Sequence, residues 1–136
     1  MRGDMADDDP AYVRARVPDY ADYADEASRH HTDLVLRTFV GEHLNDARQR
    51  VGDELDERTS KTLDELILHC QFTDQAFIHW LDHARLDPPL VASLVAIDRR
   101  LVELAERVKD ANASDLHDLL EAIDIAFEHR REPLPA

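Results

Sequence analysis

The sequence predicts an all-α protein, an antiparallel four-helix bundle with a long first helix in which Gly41 is a candidate kink. Three observations lead there. No segment alternates apolar and polar residues with period two over a useful length, so no sheet is expected. Apolar residues instead recur at three- and four-residue spacing through most of the chain. Helix-start and helix-stop signals divide that stretch at only a few places, and just 3 of the 136 residues are glycine.

Residues 1–17 carry Asp7, Asp8 and Asp9 with little apolar content, and read as a disordered acidic N-terminal segment. A single helical domain is expected over 18–132, with a short tail at 133–136. Pro18 sits where a helix accepts its first residue, followed by acidic residues in the first turn. From Asp19 to Glu57 there is no proline and no turn cluster, which predicts one long helix or two nearly in line. Tyr20, Tyr23, Ala27, Leu34 and Thr38 line one face. Leu36, Val40, Leu44, Ala47, Val51 and Leu55 line another about 100° further round, with Gly41 near the changeover.

Thr62 and Glu65 have the spacing of a capping box, which opens a second helix running to Leu86. Asp87 before Pro88 predicts a third helix to Asp110. Asn112 to Ser114 is a turn, with Ser114 capping a fourth helix that ends at Arg130 or Arg131, before Pro133 and Pro135. Leu90, Leu94, Ile97, Leu101, Leu104, Ala105 and Val108 form the core stripe of the third helix. Leu116, Leu119, Leu120, Ile123 and Phe127 form that of the fourth.

The formal charge is −14, from 30 acidic and 16 basic residues. Fourteen of the basic residues are arginine and two are lysine, while Asp outnumbers Glu by 20 to 10. A GC-rich genome favours Arg over Lys but gives no reason to favour Asp over Glu. Short, strongly hydrated carboxylates suit concentrated salt, where the Debye length falls to about 3 Å and their mutual repulsion is screened. The expectation is therefore a halophilic, cytoplasmic protein, with a mesophilic acidic protein as the alternative. The acidic start and the lack of any apolar run of about 20 residues argue against export and against a membrane. One cysteine, Cys70, excludes a disulfide framework.

Functional expectations centre on the second helix. Leu63, Leu66, Ile67, Cys70, Phe77, Trp80, Leu81 and Ala84 form one apolar stripe. Leu68, Phe72, His79, His83 and Leu86 form a second on the opposite side. A helix that is apolar on both sides must bury both. The second stripe is covered either by the first helix of the same chain or by a partner, a homodimer being the commonest arrangement. Tyr20 and Tyr23 are expected to join that interface. The chain is thus read as a non-enzymatic regulatory, adaptor or assembly protein that requires no cofactor.

Two alternatives belong to other classes. His79 and His83 are spaced i,i+4, so both imidazoles can reach one metal ion, with His69 preceding them and His117 and Glu121 forming a second such pair. These pairs are similar to those of hemerythrin-like di-iron bundles, but their order along the chain is reversed. A break at Thr73 or Asp74 would instead give helix, turn and helix, loosely similar to a DNA-binding helix-turn-helix. That motif's turn glycine and basic recognition helix are both missing, and the charge argues against nucleic acid. Arg37 and His43 are spaced as in HEPN-type ribonucleases, yet on a continuous helix they point about 120° apart. Cys70 reads as packing, without a positive neighbour to activate it.

Overall fold

The computed structural model describes residues 8–21 and 23–131, and among these it is all-helical with no strand. There are six α-helices rather than four: α1 (Asp9–Arg16), α2 (Arg29–Val51), α3 (Glu57–Gln71), α4 (Gln75–His83), α5 (Pro88–Asp110) and α6 (Ala113–Arg131). Single 3-10 turns, Glu26–Ser28 and Gly52–Glu54, flank α2. No helix is long and apolar enough to cross a membrane among the described residues.

Both extra helices have local causes. Much of the segment expected to be disordered is α1, with Pro10 in its first turn and Val13 and Val17 buried. It docks on α5 through Tyr12, whose hydroxyl donates to Glu106, and through Arg99, which pairs with Asp9 at 2.9 Å. Residues 1–7 and the expected tail at 133–136 lie outside the described residues. The helix expected from Asp19 begins only at Arg29. Asp19 takes a positive φ of 68°, a conformation that Asp tolerates better than most residues and that no helix can include. The chain turns there, Tyr20 N–H donating to Val17 C=O, and Asp25 then accepts from Ala27 N–H to start the 3-10 turn.

The second expected helix is divided at Phe72–Asp74. Asp56, not Thr62, caps α3, accepting from Thr59 N–H at 2.7 Å. The Thr62 hydroxyl instead bonds back to Arg58 C=O within the helix. Phe72 is extended, and Asp74 caps α4 by accepting from Phe77 N–H. α5 starts at Asp87–Pro88 as expected. At α6 the capping side chain is Asn112, which accepts from Asp115 N–H and from the Ser114 hydroxyl.

Contacts run from α2 to α5, from α5 to α6, from α6 to α3 and from α3 back to α2. Inside them lies the main core, including Leu36, Val40, Leu44, Leu63, Leu101, Leu104, Leu116, Leu120 and Ile123. A smaller core of Tyr23, Phe77, Ile78, Leu81, Leu94 and Val95 holds α4. Arg50 closes the far end of α5, donating to Val108 and Ala111 C=O at 2.9 and 2.7 Å.

α2 passes through Gly41 without a break, and the glycine serves helix approach instead. A Cβ placed there would lie 3.0 Å from Cys70 Cβ on α3. Both atoms are fixed to helix backbones, so neither can swing aside. Gly41→Ala is expected to gain about 1 kcal/mol of helix propensity and to lose more, up to about 3 kcal/mol, through overpacking. A lower urea midpoint would show the net loss. Adding Cys70→Ala should not restore stability, because the contact is with Cβ; a midpoint above wild type would refute the close approach.

Candidate functional site

Charged residues stand at apolar positions of three helices, and they meet. On α2, Asp33 and Arg37 are one turn apart beside Leu36 and Val40. On α5, Asp98 lies between Leu94 and Leu101, and on α6, Arg130 follows Phe127. All four are buried, Asp98 completely.

Arg130 is the junction. Its Nε donates to Asp98 Oδ1 at 2.9 Å, Nη1 to Asp33 Oδ1 at 2.6 Å and Nη2 to the Tyr23 hydroxyl at 2.6 Å. The Tyr23 and Tyr20 hydroxyls both donate to Asp98 Oδ2, at 2.5 and 2.8 Å. Arg37 Nε donates to Asp33 Oδ2 at 2.9 Å, and its Nη1 to Cys70 C=O at 3.0 Å. Two carboxylates thus face two guanidinium groups, and all four carboxylate oxygens accept a bond. The Arg130 guanidinium also lies 4.5 Å from the Phe77 ring centre. Arg29, buried nearby, donates to Tyr23 and Leu81 C=O and so ties the tyrosine segment to α4.

Burial raises the Asp98 carboxyl above its ordinary value against the pull of Arg130 and both tyrosine hydroxyls. Burial also raises both tyrosines above their ordinary value. Burial opposes the Arg130 charge, but the neighbouring Tyr23, Asp98 and Asp33 outweigh it and hold the guanidinium protonated. With its carboxylates and hydroxyls fully engaged, this cluster fixes positions and leaves no acid or base free to act on a substrate.

The expected site residues are dispersed. Tyr20 and Tyr23 are buried by the chain itself, so their expected place in an interface is corrected. Leu86 packs half-buried on the smaller core. Leu68 and Phe72 remain exposed, at 52% and 67%, so α2, which lies within the expected first helix, packs on α3 without covering them. The break at Phe72–Asp74 places Leu68 on α3 and His79 and His83 on α4, so the second stripe is not one helix face. His79 and His83 are exposed with ring centres 4.5 Å apart. His69 is half-buried with its ring against the Phe127 edge, where burial lowers its pKa first and the Arg131 charge lowers it further. Among the described residues no group of three or more His, Cys, Asp or Glu is arranged to hold a metal ion.

Two smaller readings change as well. Arg37 is buried on Asp33, whereas His43 is half-buried beside Phe39 and bonds to its C=O, so the two do not share a site. Cys70 does have positive neighbours in Arg37 and Arg130, contrary to expectation. Burial outweighs them and pushes its thiol up to about 12, which leaves it inert at neutral pH. An open groove of about 890 Å³ lies beside Tyr12 and between α5 and α6, lined by charges of both signs.

Residue type alone does not mark the buried cluster, because Asp and Arg are ordinarily solvated. Its signal was present: Asp98 and Arg130 fall four and three residues from Leu94 and Phe127 on the core stripes. Compared with known protein families, curated proteins and solved structures, the chain finds no match.

Arg130→Leu would strand Asp33 and Asp98, and is expected to cost about 3–5 kcal/mol of unfolding free energy by urea titration. Arg130→Lys should recover little, because a single ammonium cannot reproduce the fork to two carboxylates and a hydroxyl. Wild-type stability in the lysine variant would contradict this geometry.

Asp74 provides a pH-dependent counterpart. Burial pushes its carboxyl up, but the Arg131 guanidinium and Phe77 N–H outweigh that and hold it below the usual range. The folded value is thus below the unfolded one of about 3.9, so the stabilisation is complete above that pH. It is lost as pH falls through the lowered folded value. Asp74→Asn keeps a capping side chain and loses the ion pair, at a cost of about 0.5 kcal/mol near pH 7. Asp74→Ala should cost about 1 kcal/mol or more by losing the cap too. The gap between wild type and the Asn variant should close on acidification; a gap independent of pH would rule out the pairing.

Proposed function

We propose that this chain is a non-enzymatic helical interaction protein, a regulatory, adaptor or assembly component that works as a homodimer in a salt-rich cytoplasm. The observation that carries this reading is the exposure of Phe72, with Leu68 one turn before it on α3. A phenylalanine exposed by two thirds beside a half-exposed leucine is a contact anchor that the chain leaves uncovered. Self-association through one such patch on each copy is the commonest way to cover it.

The buried cluster supports the reading indirectly. Arg37 donates to Cys70 C=O and reaches Thr73 Oγ1 at 3.5 Å, while Arg131 holds Asp74. Phe72 is therefore presented from a segment anchored on both sides, which lowers the ordering cost of binding. We read α2, α3, α5 and α6 as the four-helix bundle, with α1 and α4 as additions on its outside. The proposed interface is accordingly narrower than the sequence suggested: Leu68 and Phe72, with His79 and His83 on the neighbouring helix. The surplus of Asp over Glu and of Arg over Lys supports the saline setting. Although α3 and α4 form helix, short connection and helix, α4 has no Lys or Arg, which speaks against a DNA-reading role.

Light scattering coupled to size-exclusion chromatography in multi-molar KCl tests the proposal. The wild-type chain is expected at twice its 15.6 kDa mass. Phe72→Asp should weaken association by roughly 30-fold or more, the loss of one interface anchor. Its circular dichroism should match wild type, because the side chain is exposed. A monomeric wild type, or a Phe72→Asp variant that still dimerises, would overturn the proposed interface.

A further inference from the structure

His79 and His83 occupy the last turn and a half of α4, both exposed and one helical turn apart. Their ring centres are 4.5 Å apart and the rings are inclined by 41°. The backbone also fixes a tautomer. His83 Nδ1 lies 2.8 Å from His79 C=O, and a carbonyl oxygen can only accept, so Nδ1 carries the proton. The Nε2 lone pair of neutral His83 is then left free to bind a ligand. A histidine that donates its other ring N–H to a carbonyl is the usual arrangement of a metal-bound imidazole, since the donation orients the ring and raises the basicity of the binding nitrogen.

We propose that His79 and His83 form a two-nitrogen chelate for a divalent transition-metal ion, with water completing its coordination. The pair lies at the C-terminal end of α4, where the helix dipole favours a cation. Two imidazole nitrogens with water oxygens suit Cu²⁺ or Ni²⁺, and Cu²⁺ binds most tightly at such nitrogen sites. Three other histidines have different neighbours: His30 lies 2.5 Å from Asp82, His117 lies 3.8 Å from Glu121, and the His69 ring packs on Phe127. Both donors come from one chain, but the interface proposed above includes them, so the chelate is a property of the free chain, and the monomeric Phe72→Asp variant should bind Cu²⁺ at least as tightly as wild type. It would also staple the last turn of α4, a nine-residue helix held mainly by the smaller core.

The test is calorimetric titration of CuCl2 into the metal-stripped, tag-free full chain, with thermal unfolding followed in parallel. Wild type should bind Cu²⁺, with electron paramagnetic resonance showing two equatorial nitrogen donors, and its unfolding midpoint should rise on binding. His79→Ala and His83→Ala should each weaken binding at least tenfold and abolish the rise in midpoint, with circular dichroism unchanged. His117→Ala should bind as wild type does. Affinity unchanged in both α4 variants, an equal loss in His117→Ala, or a spectrum lacking two nitrogen donors would overturn the site.

Discussion

A single guanidinium sets the register in which three helices of this fold meet. Arg130 enters the interior at the end of α6 and joins Asp33 of α2 to Asp98 of α5 while receiving the Tyr23 hydroxyl as a third acceptor. Each of those partners has its own dependents: Asp33 holds Arg37, and Arg37 holds the end of α3. Asp98 also holds Tyr20, and with Tyr23 it fixes the irregular segment between α1 and α2. A hydrophobic replacement of the same volume could match this cluster in stability, since desolvation of four charges offsets much of their attraction. An apolar contact, however, lets helices slide by a fraction of a turn. A planar fork satisfied at three acceptors permits one register, and this is the contribution an all-helical interior of similar leucine stripes otherwise lacks.

That distinction accounts for what could be read from the sequence. The helical class, the core stripes of α5 and α6 and the start of α5 at Asp87–Pro88 follow from local periodicity and capping, and residues close in sequence determine them. The first half of the chain was less legible because its structure is set at long range. Tyr20 and Tyr23 have helical spacing, but their partner Asp98 is more than seventy residues away. The break after α3 has no glycine or proline; its stabilising contacts come from Arg37 and Arg131. Gly41 looked like a kink because a glycine in a helix has no local benefit, and its reason is Cys70 on another helix. Of the candidate site, the exposure of Leu68, Phe72, His79 and His83 was foreshadowed by the second stripe. Its division between two helices follows the alternative reading of a break at Thr73 or Asp74, with Asp74 as the cap, whereas the burial of the tyrosines had no local signal.

Salt separates the two populations of charge in this protein. Surface carboxylates dominate the net charge of −14, and they repel one another at a range that concentrated salt shortens to about 3 Å. Exposed pairs such as Arg48–Asp64 are screened in the same way and contribute little. The interior cluster is neutral overall and excluded from solvent, so ions cannot enter to screen it. Raising salt therefore relieves the repulsive population while leaving the organising one intact. The helices are held by terms that concentrated salt strengthens or does not touch, since apolar burial is also favoured when excluded salts are abundant.

The same anchoring explains why the exposed aromatic stands where it does. A chain with 30 carboxylates has ample means to keep its surface wet, and a phenylalanine at the end of α3 works against that. Were the segment after α3 loose, Phe72 could turn inward against the nearby cores and remove its ring from water. The segment is instead fixed on one side by Arg37 at Cys70 and on the other by the cap of Asp74 and its pairing with Arg131. Arg37 belongs to the buried cluster through Asp33, and Arg131 is the residue after Arg130. The interaction that sets the helix register thus also holds the backbone of Phe72 in an extended conformation at the surface. Perturbing the interior cluster should accordingly loosen the presentation of Phe72 before the main core opens, because the apolar contacts of α2, α5 and α6 are separate from it.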